Sequence, residues 1–213
     1  LLVRNGFSGP VLATSATADL CGLLLPDSGY LLEKDADFAN RHGFSKHHPA
    51  LPLYTQAEAN YALDFFKPQP FHKLHDLGNG LKLQFLPAGH IPGAAMVRLT
   101  LGKTSLHFTG DLGRPGDPLM VAPESVSSAD YLVVESTYGN RIHDPVDPVD
   151  MIADIVNRTL HRGGVVVIPS FAVGRAQSLL YYLYTLMQSG QIPKIPVFLD
   201  SPMSIKASEL FCK

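Results

Sequence analysis

The stretch Leu81-Lys82-Leu83-Gln84-Phe85-Leu86-Pro87-Ala88-Gly89-His90-Ile91-Pro92-Gly93-Ala94-Ala95-Met96-Val97-Arg98-Leu99-Thr100-Leu101 holds two strands and the turn between them. Leu81 to Leu86 and Met96 to Leu101 alternate apolar and polar residues, the two-residue period of a strand with one face on a core. Between them, Pro87 to Ala95 is too rich in Gly and Pro to continue either strand. A histidine between glycine and proline, just past a strand, sits on a stiff turn, which suits an imidazole used as a metal ligand. The plain alternative is a turn histidine without chemistry.

Outward from this stretch the strand pattern continues. Phe71 to Leu77 alternates roughly, and Gly78-Asn79-Gly80 is a hairpin signal before Leu81. Thr104 to Phe108 returns from Leu101 through Gly102-Lys103, and Tyr131-Leu132-Val133-Val134 reads as a short buried strand. Together these form a β-meander. Helices dominate before it. Ser15 or Thr17 caps one that carries Leu20, Leu23 and Leu24; Tyr30 to Arg41 is a second, stopped by Gly43; Gln56 to Phe66 is a third, ended by Pro68 and Pro70. After about Asp144 the texture turns α/β. Asp147 to Leu160 is an amphipathic helix, Gly164 to Ile168 a wholly apolar strand of the kind buried on both faces of a parallel sheet, Arg175 to Gln188 a helix, and Pro196 to Leu199 the next strand. The fold class is α/β, an α+β sandwich to about residue 140 and a doubly wound part after it.

Composition narrows the function. With 46% hydrophobic and 17% charged residues, the chain is neither disordered nor a solvated tail. No apolar run approaches the ~18 residues of a membrane span, so no membrane association is expected. A net charge of −2 advertises no polyanion partner globally, although a local basic cleft would suffice for one. Two cysteines, Cys21 and Cys212, exclude a disulfide scaffold and a thiolate zinc site and read as reduced thiols of a cytoplasmic protein. Nine histidines keep a His/Asp metal site open. The start at Leu1 and the stop at Lys213, soon after a helix begins, predict an internal piece of a longer protein with exposed apolar surface.

Two more strand ends carry carboxylates. In His107-Phe108-Thr109-Gly110-Asp111-Leu112-Gly113-Arg114, a strand runs through glycine into Asp111, whose two oxygens suit a two-metal hydrolytic site or, more simply, an Asx turn. In Val133-Val134-Glu135-Ser136-Thr137-Tyr138-Gly139 a strand ends on Glu135, which is either a helix cap, an arginine partner or a catalytic acid. Asp111 follows His90 by 21 residues and Glu135 follows by a further 24. The segment Pro169 to Arg175 leads from a strand into a helix. Its backbone N–H groups with Ser170, Gly174 and Arg175 could hold a phosphate; the alternative is an ordinary turn whose arginine pairs with a carboxylate. Arg114 and Arg141 are weaker candidates for the same task.

In their joint order, Gly89-His90-Ile91-Pro92-Gly93-Ala94, Phe108 to Arg114 and Glu135-Ser136-Thr137-Tyr138-Gly139 resemble consecutive motifs of the metallo-β-lactamase superfamily. With Ile168 to Gln177 and Leu199-Asp200-Ser201-Pro202-Met203, the chain is similar to the RNA-processing members of its β-CASP branch, over nearly its whole length. The resemblance implies a partial metallo-β-lactamase αββα sandwich over 1–140, lacking its N-terminal metal motif, and the start of a Rossmann-like β-CASP cap over 141–213. It implies a zinc-dependent ribonuclease that hydrolyses RNA phosphodiester bonds. His90 would be a zinc ligand, Asp111 would bridge two zinc ions, and Glu135 would orient or share a proton with a cap histidine. Single-stranded RNA would be the partner, gripped by Ser170, Gly174 and Arg175, with a homodimer allowed. The family's His-x-His-x-Asp-His motif is absent, and two ligands cannot hold a catalytic zinc, so this polypeptide alone is expected to be inactive. The competing readings are a hydrolase of a small ester or thioester and a non-catalytic RNA-binding pseudo-nuclease.

Overall fold

The computed structural model describes residues 1–142 and 147–212. A short strand β1 (Val11–Ala13) leads into α1 (Ser15–His42), then α2 (Gln56–Leu63) and β2 (Phe66–Pro68). β1 and β2 pair in parallel, Val11 opposite Phe66. Next come β3 (His75–Gly78), β4 (Leu81–Pro87), β5 (Ala95–Leu101), β6 (Thr104–Phe108) and β7 (Tyr131–Val133), in sheet order β3-β4-β5-β6-β7. The first four are antiparallel neighbours and β7 joins β6 in parallel. Three helices follow: α3 (Pro148–His161), α4 (Arg175–Gln188) and α5 (Pro202–Phe211). The fold is mixed α/β, as the sequence pattern predicts.

Local chemistry explains most boundaries. Thr14 caps α1, and Gly43 ends it in a left-handed conformation at φ 67°. Thr55 and Glu58 form a reciprocal capping box on α2. Asp147 caps α3, with Pro148 in the first turn, where a missing N–H costs nothing. Asn79, at φ 52°, makes the turn between β3 and β4.

Four expectations need correction. The helices expected around Leu20 and over Tyr30 to Arg41 are one helix, α1, which runs through Pro26. Its packing on α2 and α5 outweighs the local break. A Cβ on Gly29 would lie 2.8 Å from the backbone of Gln56, so close approach of α1 and α2 requires that glycine. Phe66 does not extend α2: the chain turns at Asp64 so that Phe66 can pair with Val11. Tyr131 to Val133 is exposed rather than buried, because β7 is the edge of its sheet. Finally, neither Gly164 to Ile168 nor Pro196 to Leu199 joins a ladder. Val166 packs on the α3–α4 core, but Val165 and Val167 are 85% and 84% exposed. A strand buried on both faces needs neighbours on both edges, and none is paired to either segment here.

Apolar residues gather in two clusters. Leu86, Ala88 and Met96, joined by Ala94, Leu112 and Val126, lie beside the turn that carries His90. Val156, Leu183, Leu186 and Ile192 hold α3 against α4. No described helix is long and apolar enough to cross a membrane.

Candidate active site

His90 stands exposed on a closed turn. Ala88 donates to the carbonyl of Ala94 at 3.0 Å, and Ala94 donates to Ile91 at 3.0 Å. Three braces hold this turn from outside. The amide of Gly113 donates to the carbonyl of Ala88 at 2.8 Å, and a Cβ on Gly113 would sit 1.8 Å from the carbonyl oxygen of Gly89. Only glycine lets the two loops lie back to back. On the opposite side, the hydroxyls of Thr14 and Thr17 converge on the carbonyl of Gly93 at 2.7 and 2.9 Å. The cap of α1 therefore also fixes the histidine turn. Lastly, a Cβ on Gly174 would lie 3.2 Å from Cγ2 of Ile91, so the turn before α4 abuts the His90 turn.

Asp111 is exposed on the bend that leaves β6. Its neighbour Leu112 donates its amide to Oε1 of Glu135. Glu135 in turn donates its own amide to Oγ1 of Thr109 at 3.2 Å, and Thr109 donates its amide to Val133 at 3.0 Å. The amide of Leu112, the hydroxyl of Thr137 and the nearby His90 hold the Glu135 carboxyl below its usual range, despite partial desolvation. Glu135 is thus fixed as a hydrogen-bond acceptor for the Leu112 amide. The three strand ends that sequence singles out thus meet, with the Asp111 loop between His90 and Glu135.

The phosphate-gripping segment is only partly free. The amide of Gly174 is taken by Oε1 of Gln177 at 2.7 Å, and that of Arg175 by the carbonyl of Val173 at 3.2 Å. A backbone anion cradle at these two positions is therefore already filled. The side chains of Ser170 and Arg175 are exposed, and no described carboxylate pairs with Arg175. Arg141 lies over the ring of Tyr138 at 5.5 Å.

Sequence reasoning gave no role to two sets of residues. Thr17 is visible only as a helix-cap candidate beside Ser15, and Thr14, which is the actual cap of α1, is not singled out at all; their partner Gly93 lies 76 and 79 residues away. Gln177 is buried in α4, and its Nε2 donates to the carbonyl of Ala172 at 3.1 Å and to Oγ of Ser208 at 2.9 Å. It ties the Gly174 turn to α5.

His90 and Asp111 are donors of suitable chemistry for zinc, nitrogen and oxygen. Among the described residues, however, no three His, Cys, Asp or Glu side chains converge to hold a metal ion. A catalytic zinc takes about three protein ligands plus water, so these residues do not make up a zinc site by themselves.

A family profile described as "Beta-Casp domain" matches residues 176–213. A ribonuclease of Thermus thermophilus, Ribonuclease TTHA0252, is 34% identical over 99% of this chain and 44% of its own length. The transcription termination factor FttA of Methanosarcina mazei is 34% identical over 94% of this chain and 30% of its own length. Endoribonuclease YSH1 of Eremothecium gossypii is 30% identical over 99% of this chain and 27% of its own length. The chain thus spans less than half the length of these curated relatives.

Proposed function

Because the chain belongs to the RNA-processing β-CASP branch of the metallo-β-lactamase superfamily, we propose that the whole protein hydrolyses RNA phosphodiester bonds. The observation that carries this reading is the meeting of the His90, Asp111 and Glu135 strand ends beside the turn before α4. In it, His90 and Asp111 supply two donors of a zinc centre whose other donors would come from outside the described residues. Glu135, fixed by the Leu112 amide, orients or shares a proton with the group it faces. Arg175 and Ser170 grip the RNA backbone through their side chains, an arginine fork being well matched to a phosphate. This chain alone, with two donors, is expected to be inactive. The same reading places the protein in the cytoplasm, with single-stranded RNA as its partner and a homodimer allowed.

The test is cleavage of end-labelled single-stranded RNA by the zinc-loaded whole protein. Asp111→Ala should lower the rate about 100-fold or more, since a metal ligand is lost. Cleavage unaffected by Asp111→Ala overturns the assignment. Tight RNA binding without cleavage favours the pseudo-nuclease reading, and turnover of a thioester in place of RNA favours the small-ester hydrolase.

A further inference from the structure

The register of the sheet sets three polar residues side by side on one face. Gln84 of β4 lies opposite Arg98 of β5, and Arg98 lies opposite His107 of β6. The segment from Glu124 to Ser128 lies across this row and closes a cleft of about 230 Å³, also lined by His72. Both ends of that segment are pinned. The amide of Glu124 donates to the carbonyl of Pro87 at 3.0 Å, and Oδ2 of Asp130 accepts from the amide and hydroxyl of Ser105 at 2.7 and 3.0 Å.

The lining has unused hydrogen-bonding capacity. His107 is 2% exposed, and neither of its ring nitrogens has a protein partner. Nε of Arg98 is buried and equally unpaired. Buried polar groups are nearly always bonded, so three such atoms on adjacent residues of one cleft need an explanation. His72, at the rim, is held at φ 63° while its amide donates to Phe85 at 2.9 Å and its carbonyl accepts from Gln84 at 2.7 Å. A side chain kept in a left-handed backbone by its surroundings is a mark of built sites. Nδ1 of His72 lies 3.5 Å from Glu124, so the acidic group of the lining is engaged with an imidazole.

We propose that this cleft binds a phosphate-sized oxyanion, held by the Arg98 guanidinium, the His107 imidazole and the hydroxyls of Ser125, Ser127 and Ser128. Arginine donors with a planar fork and hydroxyls that rotate to suit are the groups that saturate an oxyanion's acceptors. His107 adds one ring N–H donor. The cleft belongs to the sheet face and shares no residue with the His90, Asp111 and Glu135 site, so the inference stands apart from the hydrolytic reading. The anion could be free phosphate or the phosphate of a nucleotide.

The experiment titrates the chain with inorganic phosphate, and separately with a nucleoside 5′-monophosphate, following the ring nitrogens of His107 by NMR. Chloride at matched ionic strength is the control. Saturable shifts at His107 with phosphate, or with the monophosphate alone, support the site and identify its source. Arg98→Gln should weaken binding about tenfold or more, as expected for a lost charge-assisted hydrogen bond. Ser127→Ala should weaken it less. Chloride giving the same shifts, no saturation with either phosphate, or unchanged affinity in Arg98→Gln overturns the proposal. If a variant fails to fold, the wild-type titration against chloride decides alone.

Discussion

The sheet β3–β7 and the helical part α3–α5 are both built from apolar runs of similar sequence character, yet only the first zips into ladders. In the sheet, each antiparallel partner lies one short turn away: Gly78-Asn79-Gly80 brings β3 to β4, and Gly102-Lys103 brings β5 to β6. In the helical part, Gly164 to Ile168 and Pro196 to Leu199 would need parallel partners reached across whole helices. Those helices form their own core through Leu183, Leu186 and Val156, but the apolar runs beside them keep one face in solvent. The difference is one of range. Closing a hairpin costs little chain entropy, while a parallel pair depends on everything between.

The sharpest way to break the comparison is at the back-to-back loops of the sheet. Gly113→Ala puts a Cβ against the Gly89 carbonyl, where only backbone can yield, and should cost about 4 kcal/mol in urea unfolding. A cost below about 1 kcal/mol would mean that the two loops are not rigidly apposed. Next, Leu186→Ala in the helical core should cost about 3 kcal/mol, the middle of the range for a fully buried leucine. If the sheet and the helical part unfold as separate units, amide exchange will rise around α3 and α4 and stay unchanged in β4 and β5. A smaller effect is expected at His107. Burial and the neighbouring Arg98 lower its pKa, so the unfolded chain takes up a proton at about pH 6.5 while the folded chain does not. Stability should therefore be complete above about pH 6.5 and fall as pH drops below it. In His107→Leu that part of the acid sensitivity should vanish, as read from urea midpoints at neutral and acidic pH. The least effect is expected where the regions differ most. Val165→Thr, at a side chain in solvent, should change stability by less than about 0.5 kcal/mol. A loss of about 1 kcal/mol or more would show that this segment is covered after all.

What was legible in the sequence follows the same division by range. The Gly78-Asn79-Gly80 turn, the start of α3 at Asp147, the bounds of α4 and the three strand ends were readable because each rests on a few neighbouring residues. The pairing of Val11 with Phe66 and the grip of Thr14 on Gly93 were not, since no local signal marks a partner so far along the chain. The division into two helices, one around Leu20 and one over Tyr30 to Arg41, failed in the opposite sense: a single helix runs through Pro26. Ser170 and Arg175 were legible as residue types suited to a phosphate. The occupied amides of Gly174 and Arg175 became visible only when Gln177 and Val173 were seen to fill them.

The bracing of the His90 turn has a further meaning. Gly113 holds it from the Asp111 loop, Thr14 and Thr17 hold it from α1, and Gly174 presses on it from α4, which Gln177 fastens to α5, itself packed on α1. In a builder's vocabulary this is a redundant truss: the members form closed circuits, and load lost from one passes to the others. Such a frame holds its histidine from several sides at once, so that the position of the imidazole is set by the whole frame and not by its own turn alone.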